Sequence, residues 1–168
     1  MKTRRILGIY IVILSLFLLT ACKQQSIFGP KMVSFSDPDL LEELRRDGVA
    51  VAAIPGEMPD FYSYEGYQWR EKTGEYVLHW DAPLEHDVYE LERWISLRIN
   101  PGEETISVPH TSYRVENYIS EETGITCYVL HEQGTIQAFW VYDGTAYYLG
   151  GNLEEEELYA ILDTIVIT

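Results

Sequence analysis

Between residues 61 and 150 apolar side chains recur at nearly every second position. A chain with that period is committed to strands that bury one face. In 88–99, Tyr89, Leu91, Ile95, Leu97 and Ile99 share one side, interrupted by Arg93. Glu90, Glu92, Ser96 and Arg98 share the other. YVLHW at 76–80 follows Thr73-Gly74, a hairpin turn. ITCYVLH at 125–131, TIQAFWVY at 135–142 and TAYYLG at 145–150 are separated by Gln133-Gly134 and Asp143-Gly144. They read as an antiparallel meander.

Two segments carry the helical period instead. In DPDLLEELRRD at 37–47, Asp37 caps, Pro38 suits the first turn, and Gly48 ends the helix. Leu40, Leu41 and Leu44 share a face, and Arg45 and Arg46 stand in the last turn, where the helix dipole favours cations. VAVAAI at 49–54 predicts a short buried strand, and PGEMPD at 55–60 a loop. In 152–165, Leu158, Ile161, Leu162 and Ile165 form a stripe. There Asn152 is the expected cap and Glu155 the capping-box acid. The expected class is α+β: an antiparallel β-sheet meander with an N-terminal and a C-terminal helix packed on one face.

The first 22 residues have a different character. Lys2, Arg4 and Arg5 precede a run, Ile6 to Leu19, that is apolar apart from Gly8, Tyr10 and Ser15. A bilayer span needs ~20 apolar residues; this run is shorter, and Lys23-Gln24-Gln25-Ser26 follows closely. The pattern is that of an export signal. Leu19-Thr20-Ala21-Cys22 resembles the lipobox of bacterial lipoproteins. That resemblance implies cleavage by signal peptidase II between Ala21 and Cys22, a diacylglycerol thioether on Cys22, and palmitate-type acylation of the new amino group. Each buried methylene contributes ~0.8 kcal/mol, so two or three chains make a durable anchor. The expected organisation is a signal peptide at 1–21, a lipidated Cys and tether at 22–36, and one extracytoplasmic α+β domain at 37–168. The expected location is the cell membrane of a Gram-positive cell, facing outside the cytoplasm. In a Gram-negative cell it would be the outer membrane, because Lys23 replaces the Asp of inner-membrane retention.

The chain has a net charge of −15, and loss of Lys2, Arg4 and Arg5 makes it −18. Such a domain is repelled by phosphate backbones, which argues against nucleic acid as a partner. With Cys22 acylated, Cys127 is the only thiol left, so no intramolecular disulfide can form. Stability must come from the core.

Residues that could carry chemistry do not assemble along the sequence. Glu154 to Glu157 splay around a helix rather than converge on a cation, and their first-turn position accounts for them. His79, His86, His110 and His131 include no closely spaced ligand pair. Cys127 and His131 fall on one strand face but ~13 Å apart, too far for a nucleophile and its base. Ser112 and Ser120 lack a nucleophile-elbow setting. No cofactor, metal or catalytic residue is expected, and the chain does not read as an enzyme. What remains is a crowd of aromatic residues in the sheet region, enough that an uncovered face would expose some of them. Trp69, Trp80 and Trp94 are the expected binding face. The expected role is a non-catalytic binding module for an envelope protein partner, held to the membrane through Cys22. The alternative is a carrier or sensor of a small apolar ligand or lipid between sheet and helices, of a kind the residues do not specify.

The stretch VYDGTAYYLGGNLEEEELYAILDTI at 141–165 resembles the end of a domain family of unknown function. That family occurs in Gram-positive membrane-anchored lipoproteins and anti-sigma-factor-type membrane proteins. The resemblance implies a strand, an Asp-Gly turn, a Tyr-rich strand and an acid-led helix. MPDFYSYEGYQW at 58–69 resembles the family's opening segment more loosely, and 100–124 departs from it. No catalytic residue comes with the resemblance.

Overall fold

The computed structural model describes residues 29–82, 93–106, 114–132 and 135–168. The expected signal, Ala21, Cys22, His86, His110, Ser112, the 88–92 end of the long strand and the Gln133-Gly134 turn lie outside the described residues.

Elements follow in the order β1 (Met32–Ser34), α1 (Pro38–Arg46), β2 (Ala53–Pro55), β3 (Glu57–Pro59), β4 (Ser63–Arg70), β5 (Glu75–Asp81), β6 (Trp94–Pro101), β7 (Arg114–Ile119), β8 (Thr126–Glu132), β9 (Thr135–Tyr142), β10 (Thr145–Gly151), α2 (Glu155–Asp163) and β11 (Ile165–Ile167). Among the described residues the class is α+β, mostly antiparallel sheet with two helices. Seven strands form one sheet in the order β4-β5-β6-β10-β9-β8-β7. The expected single meander is therefore corrected to two, β4-β5-β6 and β7-β8-β9-β10, which meet where β6 pairs with β10. β7 stands at the edge far from β4, and β8, β9 and β10 step from there back to the centre.

Register shows why the alternation matters. Tyr76, Ile99, Tyr147, Trp140, Cys127 and Tyr118 form one row across the sheet. Leu78, Leu97, Leu149, Ala138 and Val129 form the next. Most of these residues are fully buried. Leu40 and Leu44 of α1 and Leu158, Ile161 and Leu162 of α2 join the same core. Each fully buried aliphatic side chain contributes ~1.5–3 kcal/mol. Hydroxyls on this sheet face also reach the helix ends: Tyr64 donates to Asp37 at 2.7 Å, Tyr76 to Asp47 at 2.6 Å and Tyr118 to Asp163 at 2.5 Å.

Local chemistry sets the ends of the elements. Asp37 accepts from the Leu40 amide at 3.0 Å and caps α1. For α2 the expected cap moves: Glu154, not Asn152, is the N-cap, and Glu157 accepts from the Glu154 amide at 2.9 Å. Asn152 instead ends the preceding strand, its amide donating to the Trp94 carbonyl at 3.0 Å. Asp143 and Gly144 both take positive φ, 46° and 73°, as a two-residue hairpin requires.

Two small sheets lie beside the large one. β2 pairs with β11, so Ile165 is a strand residue rather than the last of the helical stripe. The strand expected at 49–54 is confined to Ala53–Pro55. β1 pairs with β3, which turns the end of the expected tether and part of the expected 55–60 loop into strands. Phe35 packs edge-on against Tyr64 and Trp80, so the folded body begins before residue 37.

Candidate functional site

The three tryptophans of the expected binding face do not share a face. Trp80 is 1% exposed and wedged between Phe35 and Tyr64. Trp69 lies in the row of Tyr76, on the same side of the sheet as Trp80, at the β4 edge. Trp94 stands next to Ile95, which pairs with Trp80, so strand alternation sends it to the opposite side. Only Trp69 and Trp94 are exposed. Trp80 is removed from the face for that reason.

The side of Trp94 carries a hollow of 220 Å³ lined by Trp94, Ser96, Arg98, Gln137, Tyr148 and Gly150 among others. Ser96, Gly150 and Gln137 are register partners across β6, β10 and β9 and form its floor. The floor is low because position 150 has no side chain; a Cβ there would lie 3.1 Å from Gln137 Cγ. At position 151 a Cβ would come within 2.0 Å of the Trp94 carbonyl oxygen. Glycine at 151 therefore lets the backbone of Trp94 sit close against β10.

Each rim of the hollow is braced. Trp94 stacks beside His79, whose Nε2 is 2.8 Å from Asp81. Arg98 lies over the Tyr148 ring at 4.8 Å, a cation–π contact. The Tyr148 hydroxyl donates to Glu103 at 2.9 Å, and burial with that carboxylate pushes its pKa to about 12. Phe139 supports Tyr148 edge-on. Glu75, buried beside them, is 3.2 Å from Arg70 and 3.9 Å from Arg98. The hollow thus offers an indole face, a guanidinium, a hydroxyl and a primary amide. These groups can stack, pair with a carboxylate and exchange hydrogen bonds.

From this hollow the same side continues to the β7 edge through Tyr128, Val115 and Ile119, all exposed. A second, larger hollow of 770 Å³ lies at one end of the sheet, lined by Ile106, Thr123, Thr126, Tyr128 and Tyr142 among others.

The remaining candidates fall elsewhere. Cys127 is fully buried, and burial pushes its thiol pKa to about 12. His131, four residues along β8, faces Glu116 rather than Cys127. Ser120 is buried in the turn after β7 and accepts from the Thr123 hydroxyl. Glu157, from the acidic run, is buried and ion-paired to Arg93, which in turn lies over Phe61 and Tyr62. The chain matches no family model, no curated protein and no solved structure.

Proposed function

We propose that this chain is a lipid-anchored extracytoplasmic binding module with no catalytic role. Cys22 would carry the anchor, and the side of the sheet around Trp94 would dock a partner protein of the envelope. In this reading α1 and α2 cover the side of the sheet that carries Tyr76 and Trp80, and the other side is left for recognition. The observation behind it is the braced notch of Trp94, Arg98, Tyr148 and Gly150, continuous with exposed Tyr128, Val115 and Ile119. Tryptophan, tyrosine and arginine around a small depression are the residues that dominate protein interfaces. The opposing carrier reading requires a hollow bordered by Leu158 and Ile161. Those side chains are fully buried in the core, and the hollows described above are lined by other residues.

The test uses the full chain in its own membrane, with a photo-crosslinking residue at Trp94 and, separately, at exposed Glu71 in the β4–β5 turn. A discrete adduct from position 94 and none from position 71 is the expected result. Arg98→Glu and Tyr128→Ala should each remove that adduct, since a central contact is worth ~2 kcal/mol or about thirtyfold in affinity. Equal labelling from both positions would sink the proposal.

A further inference from the structure

The β7 edge meets the start of α2 at a cluster that the sequence does not announce. Glu116 of β7, His131 of β8 and Glu155 of α2 each direct one ligand atom into a common space, all within 4.8 Å of one another. The three residues come from separate elements and share no motif spacing. Pairing of Glu116 with Val129 and of Arg114 with His131 places Glu116 and His131 diagonally on the same sheet face. Glu155 arrives from above on the first turn of α2.

The geometry around His131 is the informative part. Its Nε2 is shut off from solvent and has no hydrogen-bond partner, yet a Glu116 oxygen lies 3.5 Å away. An N–H···O hydrogen bond closes to about 2.7–3.2 Å, so the pair is a loose ionic contact rather than a well-formed hydrogen bond. Two ligands each about 2.0–2.1 Å from a tetrahedral zinc ion stand roughly 3.4 Å apart. The imidazole and the carboxylate lie close to that separation.

The surroundings suit ligation. Tyr159, one helical turn beyond Glu155, donates its hydroxyl to the Glu116 oxygen that faces His131, leaving that oxygen its second lone pair, and Arg114 pairs with the other. These donors fix the orientation of the carboxylate. Tyr118 packs on the Tyr159 ring at 4.8 Å and fixes it in turn. Glu155 is exposed, which leaves the metal a route from solvent.

We propose that Glu116, His131 and Glu155 form a binding site for a divalent transition-metal ion, zinc as the reference. Three protein ligands leave a fourth position for water or a partner's side chain. The imidazole favours zinc over calcium or magnesium, which take oxygen ligands. The site is distinct from the Trp94 notch and stands or falls without it. Its structural effect would be to clip the β7 edge strand to α2.

The test is titration of the detergent-solubilised full chain with zinc ion alone, followed by native mass spectrometry and competition against a chromogenic chelator. One zinc ion per chain is expected, with one imidazole in the X-ray absorption shell. Glu155→Gln neutralises an exposed carboxylate at constant shape and should leave the fold intact, so its effect reports ligation. It should weaken zinc binding at least about tenfold, as should His131→Ala, while His79→Ala changes nothing. Zinc should raise the melting temperature of the wild-type chain and not of Glu155→Gln. The site is refuted if the chain retains no zinc at micromolar free metal. It is equally refuted if Glu155→Gln and His131→Ala bind zinc as wild type does, because the ion would then be held elsewhere.

Discussion

Removing one oxygen atom from Tyr147 should loosen the attachment of the small β2–β11 sheet. The Tyr147 hydroxyl accepts from the Ala53 amide at 3.1 Å, and the Trp140 indole donates to the Ala53 carbonyl at 3.0 Å. Their rings stack 5.3 Å apart at 3°, so two neighbouring strands grip both polar groups of one buried residue. Tyr147→Phe preserves the ring and its packing but strands the Ala53 N–H away from water. An orphaned buried donor costs ~1–3 kcal/mol, well above the worth of an average hydrogen bond. With a urea slope of ~2 kcal/mol/M the unfolding midpoint should fall by about 0.5–1.5 M, with the slope unchanged. Tyr148→Phe, whose hydroxyl meets the partly exposed Glu103, serves as the control and should shift the midpoint less. Hydrogen exchange at Ala53 should accelerate in the Tyr147 variant alone. A stability loss under about 0.5 kcal/mol would refute the reasoning, because the Ala53 amide would then have found another partner.

Three further outcomes follow from particular residues. Gly150→Ala should be tolerated within about 1 kcal/mol, because the flexible Gln137 side chain can yield, while Gly151→Ala should cost more than about 2 kcal/mol against the rigid Trp94 carbonyl; equal denaturation midpoints would contradict this. Burial raises Tyr62, Cys127, Tyr147 and Tyr148 to about 12 in the folded chain, above their unfolded values, so their contribution is complete below about pH 9 and is lost as pH climbs toward 12. Stability flat to pH 12 would oppose that sign, and reaction of a disulfide reagent with Cys127 in the native Cys22→Ala chain at pH 8 would contradict its burial. Cys22→Ala should also abolish processing by signal peptidase II and release the chain from the membrane fraction; fractionation like wild type would remove the anchor from the proposal.

Much of the local structure was legible because the physics that sets it is local. Asp143-Gly144 tolerates positive φ, so it announces a hairpin wherever it lies. Asp37 and Pro38 write a helix start within a single turn. The α2 cap falls at Glu154, two residues past Asn152, although Asn is the better N-cap by type. The choice fell to the Trp94 carbonyl, which takes the Asn152 amide and extends the strand's pairing past Gly151. Parity along β6 already separates Trp94 from Ile95, and so from its partner Trp80.

Residue order along the chain by itself determined which side chains of each strand share a face, where the hairpin turns, and which segments can be helical, since alternation, φ tolerance and capping act over a few residues. Only the tertiary structure decided that β6 lies against β10, that Ala53 is gripped by Trp140 and Tyr147, and that Glu116, His131 and Glu155 converge. Those contacts join residues tens of positions apart. Their partners are selected by how a whole sheet and its helices bury surface together, and no short window of sequence records that choice.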